Sequence, residues 1–199
     1  MPMPTIYYIR HGETGWNAEG RFQGSKDIPL NDLGRTQAVV AGEILGRLLA
    51  SDGHQAATMP FVSSPLGRAR TTMELARGAL QLAPADYAID ARLREIGYGH
   101  WEGLTLPEMQ LNDAATFASR QVDKWGVAAP SGESYASVTL RMREWFDSLL
   151  GDTVVVAHGG TMRALMVTLG VATPHEAADT PIGQGVVYVF RDGGLAKYS

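Results

Sequence analysis

The sequence contains no cysteine, and this absence excludes several kinds of chemistry at once. Disulfides, thiolate nucleophiles and cysteine-rich metal sites are all ruled out. No run of apolar residues approaches the roughly 20 that a membrane-spanning helix needs, so we expect no membrane association. The N-terminal stretch also lacks the basic region and apolar core of a signal peptide. The expected location is therefore cytoplasmic.

Positive charge is in slight deficit. The chain has 17 lysines and arginines against 21 aspartates and glutamates, a formal net charge of −4 with the histidines neutral. A protein of this charge does not attract nucleic acid or anionic lipid over its whole surface. We expect neither as a partner, and an anionic substrate must be bound by a local cluster of positive side chains. Internal repeats are absent too, and the 199 residues suit one domain covering residues 1–199.

Predicted strands and helices alternate along the chain. Short β-branched and aromatic runs predict the strands, which are 5–9, the "PFVSS" segment, 87–90, 153–157 and, last, 186–190. The segments between them have helical periodicity. This alternation predicts an α/β fold, a three-layer α/β/α sandwich whose mostly parallel central sheet is covered by helices on both faces. The least regular part, about 96–131 with a helical pattern at 107–125, is predicted to be a short cap insertion.

Two helix starts can be predicted in more detail. Asn31 is a suitable N-cap for a helix whose apolar stripe contains Val40, Ile44 and Leu48. Ser64 is a suitable N-cap for the helix after "PFVSS". Pro65 would then occupy its first position, where the missing N–H costs nothing.

Two predicted strands end in the same way. Arg10, His11 and a glycine follow the strand at 5–9, and His158 with two glycines follows the strand at 153–157. Ligands of open parallel sheets bind beyond the carboxyl ends of the strands. If these strands are neighbours, His11 and His158 therefore face each other there. The glycines permit sharp turns, and the following helices direct their N-termini to the same place, which favours an anion.

Arginines supply local positive charge around this sheet edge. Arg10 adjoins His11, and Arg68 lies one turn into a helix that follows another strand. Because planar guanidinium groups bind phosphate oxygens in pairs, these residues predict a phosphate site. Arg70 and Arg163 fall on other helical faces, and we expect them to be solvated surface residues.

A reaction at phosphate also needs a proton donor, and "LREIGYGHWEGLT" offers Glu95 and Glu102. Glu95 is better placed because it stands where the chain leaves a predicted strand.

Taken in order, the motifs resemble those of the histidine phosphatase superfamily, also called the phosphoglycerate mutase-like family. They are "RHGET" at 10–14, Asn17, "DIPLN", "SSPLGRARTT", "LREIGYGHWEGLT", "PSGES" and "VVVAHGG". The resemblance extends from about residue 5 to residue 165. It implies a three-layer α/β fold, a phosphohistidine intermediate, and a reaction that needs neither cofactor nor metal.

The resemblance also implies a role for each matching residue. The implied assignments are His11 as nucleophile, Glu95 as proton donor, Arg10, Arg68 and His158 as the phosphate pocket, and Asn17 and Gln23 as residues lining it. Neighbouring cations would keep His11 neutral, and fixed positive charge, including a protonated His158, would stabilise the transferring phosphoryl group. Trp101 and Glu102 either contact the substrate or support the cap.

The favoured function is hydrolysis of a small phosphorylated metabolite. The resemblance implies that the phosphoglycerate mutases of this family have a longer chain with a basic insertion. Here residues 96–131 form a short stretch with Arg120 and Lys124 against four acidic residues. Three alternatives remain open: a mutase, a non-catalytic phosphate-binding regulatory module, and a metal-dependent hydrolase using His11, Glu13 and His158. Sugar phosphates, phosphoglycerates, ribazole-type nucleotides and phosphoserine all remain candidate substrates, and the oligomeric state is open.

Overall fold

A computed structural model describes residues 3–199 and shows a twisted sheet of six strands within them. The strands are β1 (Ile6–Arg10), β2 (Phe61–Ser63), β3 (Ala88–Ile89), β4 (Thr153–Ala157), β5 (Val187–Arg191) and β6 (Gly194–Tyr198). Their spatial order is β3–β2–β4–β1–β5–β6. The first four strands pair in parallel, whereas β5 and β6 are antiparallel to their neighbours. The predicted mostly parallel sheet is confirmed.

Helices connect the strands and form the outer layers. They are α1 (Gly15–Ala18), α2 (Asp32–Ser51), α3 (Gly67–Ala79), α4 (Leu106–Asn112), α5 (Ala114–Val122), α6 (Tyr135–Asp147), α7 (Gly159–Thr168) and α8 (Pro174–Asp179). None of the helices within residues 3–199 is both long enough and apolar enough to cross a membrane.

Strand β1 shows how the layers are assembled. Tyr7 and Ile9 point to one face, where they join a buried cluster with residues of α2 and α3. Ile6 and Tyr8 point to the other face and join a cluster with residues of α6 and α7. This alternation follows from the two-residue period of a strand. Burying each such apolar side chain stabilises the fold by about 1.5–3 kcal/mol. The prediction of helices on both faces is confirmed.

The sheet contains one strand more than the sequence analysis predicted. β5 was expected to be the last strand, but the chain turns back and forms β6 along its edge. The turn residues Asp192 and Gly193 have φ angles of 50° and 74°. An Asp-Gly pair with two positive φ angles is the sequence signal of a tight β-hairpin, so this strand could have been predicted.

Of the two detailed predictions of helix starts, the one for α2 is confirmed and the one for α3 is wrong. Helix α3 begins at Gly67 with Leu66 as its N-cap, not at Ser64 and Pro65. The Ser64 hydroxyl instead bonds a histidine ring, as described below. Asn31 does cap α2, but Val40 on that helix is 39% exposed. The buried face of α2 includes Ala41, Leu45 and Leu49, and Gly42 lets α2 approach α3 closely, since a Cβ there would lie 2.5 Å from the Ala76 carbonyl oxygen.

The predicted cap at 96–131 contains α4 and α5 where one helical pattern at 107–125 was expected. Asp113 has φ −151°, which is not helical, and its side chain accepts a hydrogen bond from the Thr116 N–H. Asp113 therefore ends α4 and caps α5. At the other end of α4, Thr105 is the N-cap residue and forms a reciprocal capping box with Glu108.

Candidate active site

The two histidines lie side by side because their strands are adjacent. β1 and β4 pair in parallel with Arg10 opposite Ala157, and the His11 N–H donates to the Ala157 carbonyl at 2.9 Å. The next residue on each strand is a histidine, and the two ring centroids are 5.2 Å apart. The predicted meeting of His11 and His158 is confirmed.

His11 is buried and its ring is fixed at one nitrogen. Nδ1 lies 2.7 Å from the carbonyl oxygen of Gly12, a geometry in which Nδ1–H donates and Nε2 keeps its lone pair. Gly12 is needed here because a Cβ on it would lie 2.1 Å from the Gly34 carbonyl oxygen. Burial, and next the Arg68 and Arg10 charges, hold the pKa of His11 well below its usual value. The ring is therefore neutral at pH 7.

His158 is fixed at the opposite nitrogen. Its Nε2 lies 2.7 Å from the Ser64 hydroxyl, whereas the buried Nδ1 has no hydrogen-bond partner within residues 3–199. Burial, followed by Arg68, His11 and Arg10, lowers the pKa of His158 well below its usual value. Without a bound anion the ring is therefore neutral, whereas the protonated His158 expected beside a transferring phosphoryl group stays a prediction.

Backbone carbonyls hold the two predicted phosphate-binding arginines. Arg68 donates from Nη1 to Lys26 at 2.6 Å and from Nη2 to Gly24 at 2.8 Å. Arg10 donates from Nη1 to the carbonyl of Ile182 at 2.6 Å. The Nε–H groups of both arginines are buried and have no partner in the described part of the chain. Two charges with unused donors are thus fixed beside His11.

A cavity of about 240 Å³ collects the predicted site residues. Its polar lining consists of Arg10, His11, Asn17, Arg21, Gln23, Arg68, Glu95 and Arg163. His158, fully buried, reaches this group through its neighbour His11. Six of the seven predicted residues therefore line one cavity, and the seventh contacts it from below the surface.

Glu95 reaches the cavity from a loop and is held at the start of α7. Its carboxylate accepts hydrogen bonds from the Gly160 N–H at 3.0 Å and from the Ile96 N–H at 2.9 Å. The N-terminus of a helix favours negative charge. Gly160 is required for this approach, since a Cβ there would lie 2.4 Å from Glu95 Oε1.

Asn17 and Gln23 are held differently. The Asn17 side-chain oxygen accepts from Thr14 and from Gln184, a residue that sequence reasoning missed. Gln184 donates also to the His11 carbonyl at 3.1 Å. It arrives from the segment before β5, so no motif near the histidines pointed to it. The Gln23 side-chain oxygen is buried without a partner among residues 3–199.

Glu102, Trp101 and Glu13, which the sequence left with open or alternative roles, do not line this cavity. The Glu102 carboxylate accepts from the Ser25 N–H at 2.8 Å and from the Tyr98 N–H at 3.3 Å, so it joins two loops and lies outside the cavity lining. Trp101 is 3% exposed and lines a neighbouring cavity. The Glu13 carboxylate accepts from Asn31 at 2.8 Å and does not line the site, which weakens the metal-dependent alternative.

The prediction for Arg163 is wrong, whereas Arg70 is exposed as expected. Arg163 lines the cavity and donates from Nε to the Thr180 carbonyl at 3.1 Å. A signal was present in the sequence. Arg163 stands four residues after Gly159, so the two residues lie on the same face of α7.

This α/β fold, with histidines at two adjacent strand ends, belongs to an established class of proteins. Residues 6–194 match the histidine phosphatase superfamily (branch 1). The chain therefore belongs to this superfamily, as its motifs indicated.

Relatives of this chain include both phosphatases and mutases. A glucosyl-3-phosphoglycerate phosphatase of Mycobacterium tuberculosis is 35% identical over 82% of this chain and 74% of its own length. A 2,3-bisphosphoglycerate-dependent phosphoglycerate mutase 2 of Gloeobacter violaceus is 30% identical over 99% of this chain and 90% of its own length. Among solved structures, a mycobacterial glucosyl-3-phosphoglycerate phosphatase complexed with VO3 superposes with a TM-score of 0.77. It is 31% identical, over 94% of this chain and 92% of that one.

Proposed function

We propose that this protein is a phosphomonoester hydrolase that acts through a phosphohistidine at His11. The observation that carries the proposal is the state of the His11 ring. It is neutral, its Nδ1 is held by Gly12, and its Nε2 is left as a nucleophile beside Arg10 and Arg68. We also propose that residues 1–199 form one domain, with 96–131 as its cap.

The first half-reaction transfers the phosphoryl group to the protein. His11 Nε2 forms a bond to phosphorus while the bond between phosphorus and the ester oxygen breaks. Arg10 and Arg68, with His158 through Nδ1, stabilise the charge on the phosphoryl oxygens. Glu95 gives its proton to the departing alkoxide, which leaves as an alcohol.

The second half-reaction returns the protein to its first state. The Glu95 carboxylate takes a proton from water, the resulting hydroxide attacks phosphorus, and the P–N bond breaks. Inorganic phosphate and neutral His11 result. These steps use side chains alone, so we propose that neither a metal nor a cofactor is required.

The cap favours hydrolysis over isomerisation. A mutase that uses a bisphosphorylated primer needs free cations to hold the second phosphate. In the cap, Arg120 donates to the Val127 carbonyl and lies between the rings of Tyr98 and Tyr135. Lys124 is paired with Asp179 at 3.0 Å. Both cations of the cap are therefore already engaged.

A product assay separates the candidate functions. The protein would be given 3-phosphoglycerate with 2,3-bisphosphoglycerate, and separately glucosyl-3-phosphoglycerate, each with and without EDTA. We expect release of inorganic phosphate to exceed formation of 2-phosphoglycerate, and to be unchanged by EDTA. Faster isomerisation would identify a mutase. No turnover of these esters or of p-nitrophenyl phosphate would identify a binding module, and EDTA-sensitive turnover restored by metal would identify a metal-dependent hydrolase.

A further inference from the structure

A second cavity, of about 210 Å³, adjoins the phosphate cavity. Phe22, Tyr98 and Arg163 line both, so these three residues form the boundary between the two cavities. The other residues of the second cavity belong mainly to the cap: Trp101, Leu106, Met109, Phe117, Arg120, Gln121, Lys124 and Tyr135. A leaving group attached to a phosphate at His11 would pass these three residues to reach this space.

The walls of this second cavity are suited to a flat apolar ring. Five of its residues are aromatic, and Phe22 packs edge-on against Tyr98 with ring centroids 4.8 Å apart. Arg120 holds two of the walls in place, because its guanidinium lies 5.8 Å from the ring centres of both Tyr98 and Tyr135. An apolar cavity of about 150 Å³ accepts benzene, so this one has room for a six-membered ring with small substituents.

Arg163 supplies a positive charge at the junction of the two cavities. A Cβ placed on Gly159 would lie 3.5 Å from Arg163 Nη1 and 3.6 Å from Arg10 Nε, so both guanidinium groups converge on the start of α7. Arg163 bonds Thr180 through Nε and makes only a long contact, 3.4 Å, from Nη1 to the Tyr135 hydroxyl. Most of its donors therefore remain for a ligand.

The charges around the site indicate what Arg163 binds. Arg21 is paired with Glu19 and Glu108 at 2.9 and 2.8 Å, whereas Arg68 lies 4.0 Å from the half-exposed Asp27, a distant and solvent-screened pair. Arg10, Arg68 and Arg163 are therefore the cations whose charge acts in the cavity. When Glu95 carries the proton for the leaving group, a phosphate dianion balances two of these three charges. One positive charge remains, which matches a carboxylate on the substrate better than a second phosphate dianion.

We propose that the second cavity is the leaving-group subsite and that it selects phosphate esters of aromatic hydroxy acids. The ring would lie between Phe22, Tyr98 and Phe117, and the carboxylate would bind Arg163. This inference rests on the proposed phosphatase activity, and it adds the substrate class and a specificity-determining residue.

Three alkyl phosphates separate the two recognition elements. The phosphate ester of 3-phenyllactate carries a ring and a carboxylate, that of lactate carries only the carboxylate, and that of 1-phenyl-2-propanol carries only the ring. All three have secondary alkoxide leaving groups, so kcat/KM compares binding in the transition state. We expect kcat/KM for the 3-phenyllactate ester to exceed that for each of the other two esters by about tenfold or more. Similar kcat/KM values for the three esters, or a higher value for glucosyl-3-phosphoglycerate, would overturn the proposal.

Substitutions at Arg163 and Phe117 test which residue is responsible for each part of the ester preference. Arg163→Gln should reduce the advantage of phosphophenyllactate over phenylpropanol phosphate about tenfold, and Phe117→Ala should reduce its advantage over phospholactate to a similar extent. Arg143→Gln and Phe146→Ala are matched controls. Arg143 also donates to a backbone carbonyl, Phe146 also packs on the core, and neither lines these cavities. An equal loss for all esters in Arg163→Gln would mean that this arginine binds the phosphate, against the proposal.

Two further measurements keep the outcomes distinct. The product 3-phenyllactate should inhibit the wild-type protein more strongly than lactate does, a result that does not depend on any variant folding. Hydrolysis of p-nitrophenyl phosphate reports the proposed function alone. If that ester is hydrolysed but the three alkyl esters are not discriminated, only the subsite proposal is wrong. If no ester is hydrolysed, both proposals are wrong.

Discussion

The two histidines of the site are held at opposite ring nitrogens. His11 is bonded at Nδ1 by the Gly12 carbonyl, and His158 is bonded at Nε2 by the Ser64 hydroxyl. The nitrogens that remain are Nε2 of His11 and Nδ1 of His158. Under the proposed function, the two imidazoles present different atoms to the same ligand, His11 as the nucleophile and His158 as a partner for a phosphoryl oxygen.

At the residue scale, the two carboxylates of "LREIGYGHWEGLT" have different roles in the proposed mechanism. Glu95→Gln should lower kcat/KM for an alkyl phosphate by about 10²–10⁴-fold, because an alkoxide leaves poorly without a proton. The same change should affect p-nitrophenyl phosphate far less, since p-nitrophenolate leaves unaided. Steady-state assays of the two esters give the comparison, with kcat/KM reporting the phosphorylation step.

Glu102→Gln is the matched control, because this carboxylate joins the Ser25 and Tyr98 backbones outside the cavity. It should show no dependence on the leaving group. An equal loss for both esters in Glu95→Gln, or a selective loss in Glu102→Gln, would show that the proton donor has been assigned wrongly.

At the scale of elements, the site depends on close contact between the loop after β1 and the start of α2. A Cβ on Gly34 would lie 2.0 Å from the Glu13 carbonyl oxygen, and one on Gly12 would lie 2.1 Å from the Gly34 carbonyl oxygen. Each glycine allows the other segment to approach. The helix and the loop therefore fix the position of the peptide that holds His11 Nδ1.

This contact predicts opposite effects for the same substitution in two helices. Gly34→Ala should lower the free energy of unfolding by about 1–3 kcal/mol, because the added methyl group meets backbone atoms that have little freedom to move. Gly78→Ala on α3 should raise it by about 0.5–1 kcal/mol, because nothing lies within 4 Å of a Cβ there and alanine favours the helix. Urea unfolding of both variants measures these changes. A neutral Gly34→Ala with full activity would contradict the proposed constraint.

At the scale of the whole molecule, burying two neutral histidines makes stability depend on pH. The pKa values of His11 and His158 are held well below their usual value of about 6.5. The unfolded chain therefore takes up protons below that pH while the folded chain does not. The stabilisation is complete above about pH 6.5 and is lost progressively as the pH falls below it.

We expect the free energy of unfolding in urea to decrease from about pH 7 to about pH 5. The decrease should be smaller in His11→Asn and in His158→Asn. Asp90, whose pKa is lowered by its bonds to Arg92, responds at lower pH and does not account for a change in this range. A constant or increasing stability on acidification to pH 5 would show that the histidines are protonated in the folded protein.

Much of this architecture could be predicted from sequence because its signals are local. The strand ends before His11 and His158 mark the edge of the sheet where a ligand binds, and the parallel pairing of β1 and β4 supplies the adjacency on which their meeting depended. The hairpin strand β6 also had a local signal in Asp192 and Gly193. The start of α2 had its local signal in Asn31, whereas the start of α3 was harder, because Ser64 is an acceptable N-cap in isolation but bonds His158 in the folded protein.

The parts of the site that could not be predicted depend on distant contacts. Gln184 reaches His11 and Asn17 from the other end of the chain. The exposure of Arg163 was misjudged because burial at that position depends on the cap and on Thr180, which helical periodicity within α7 does not reveal. The neutral state of His158 follows from burial among cations, and no sequence pattern reports burial of a single ring.

Capture of the covalent intermediate would show directly whether His11 carries the phosphoryl group. The protein would be mixed with a phosphomonoester radiolabelled at phosphorus, quenched in alkali, and digested to locate the label. We expect alkali-stable, acid-labile label on the peptide containing His11, and loss of both label and turnover in His11→Ala. Label on another residue, or a burst of alcohol product with no label on the protein, would contradict this expectation.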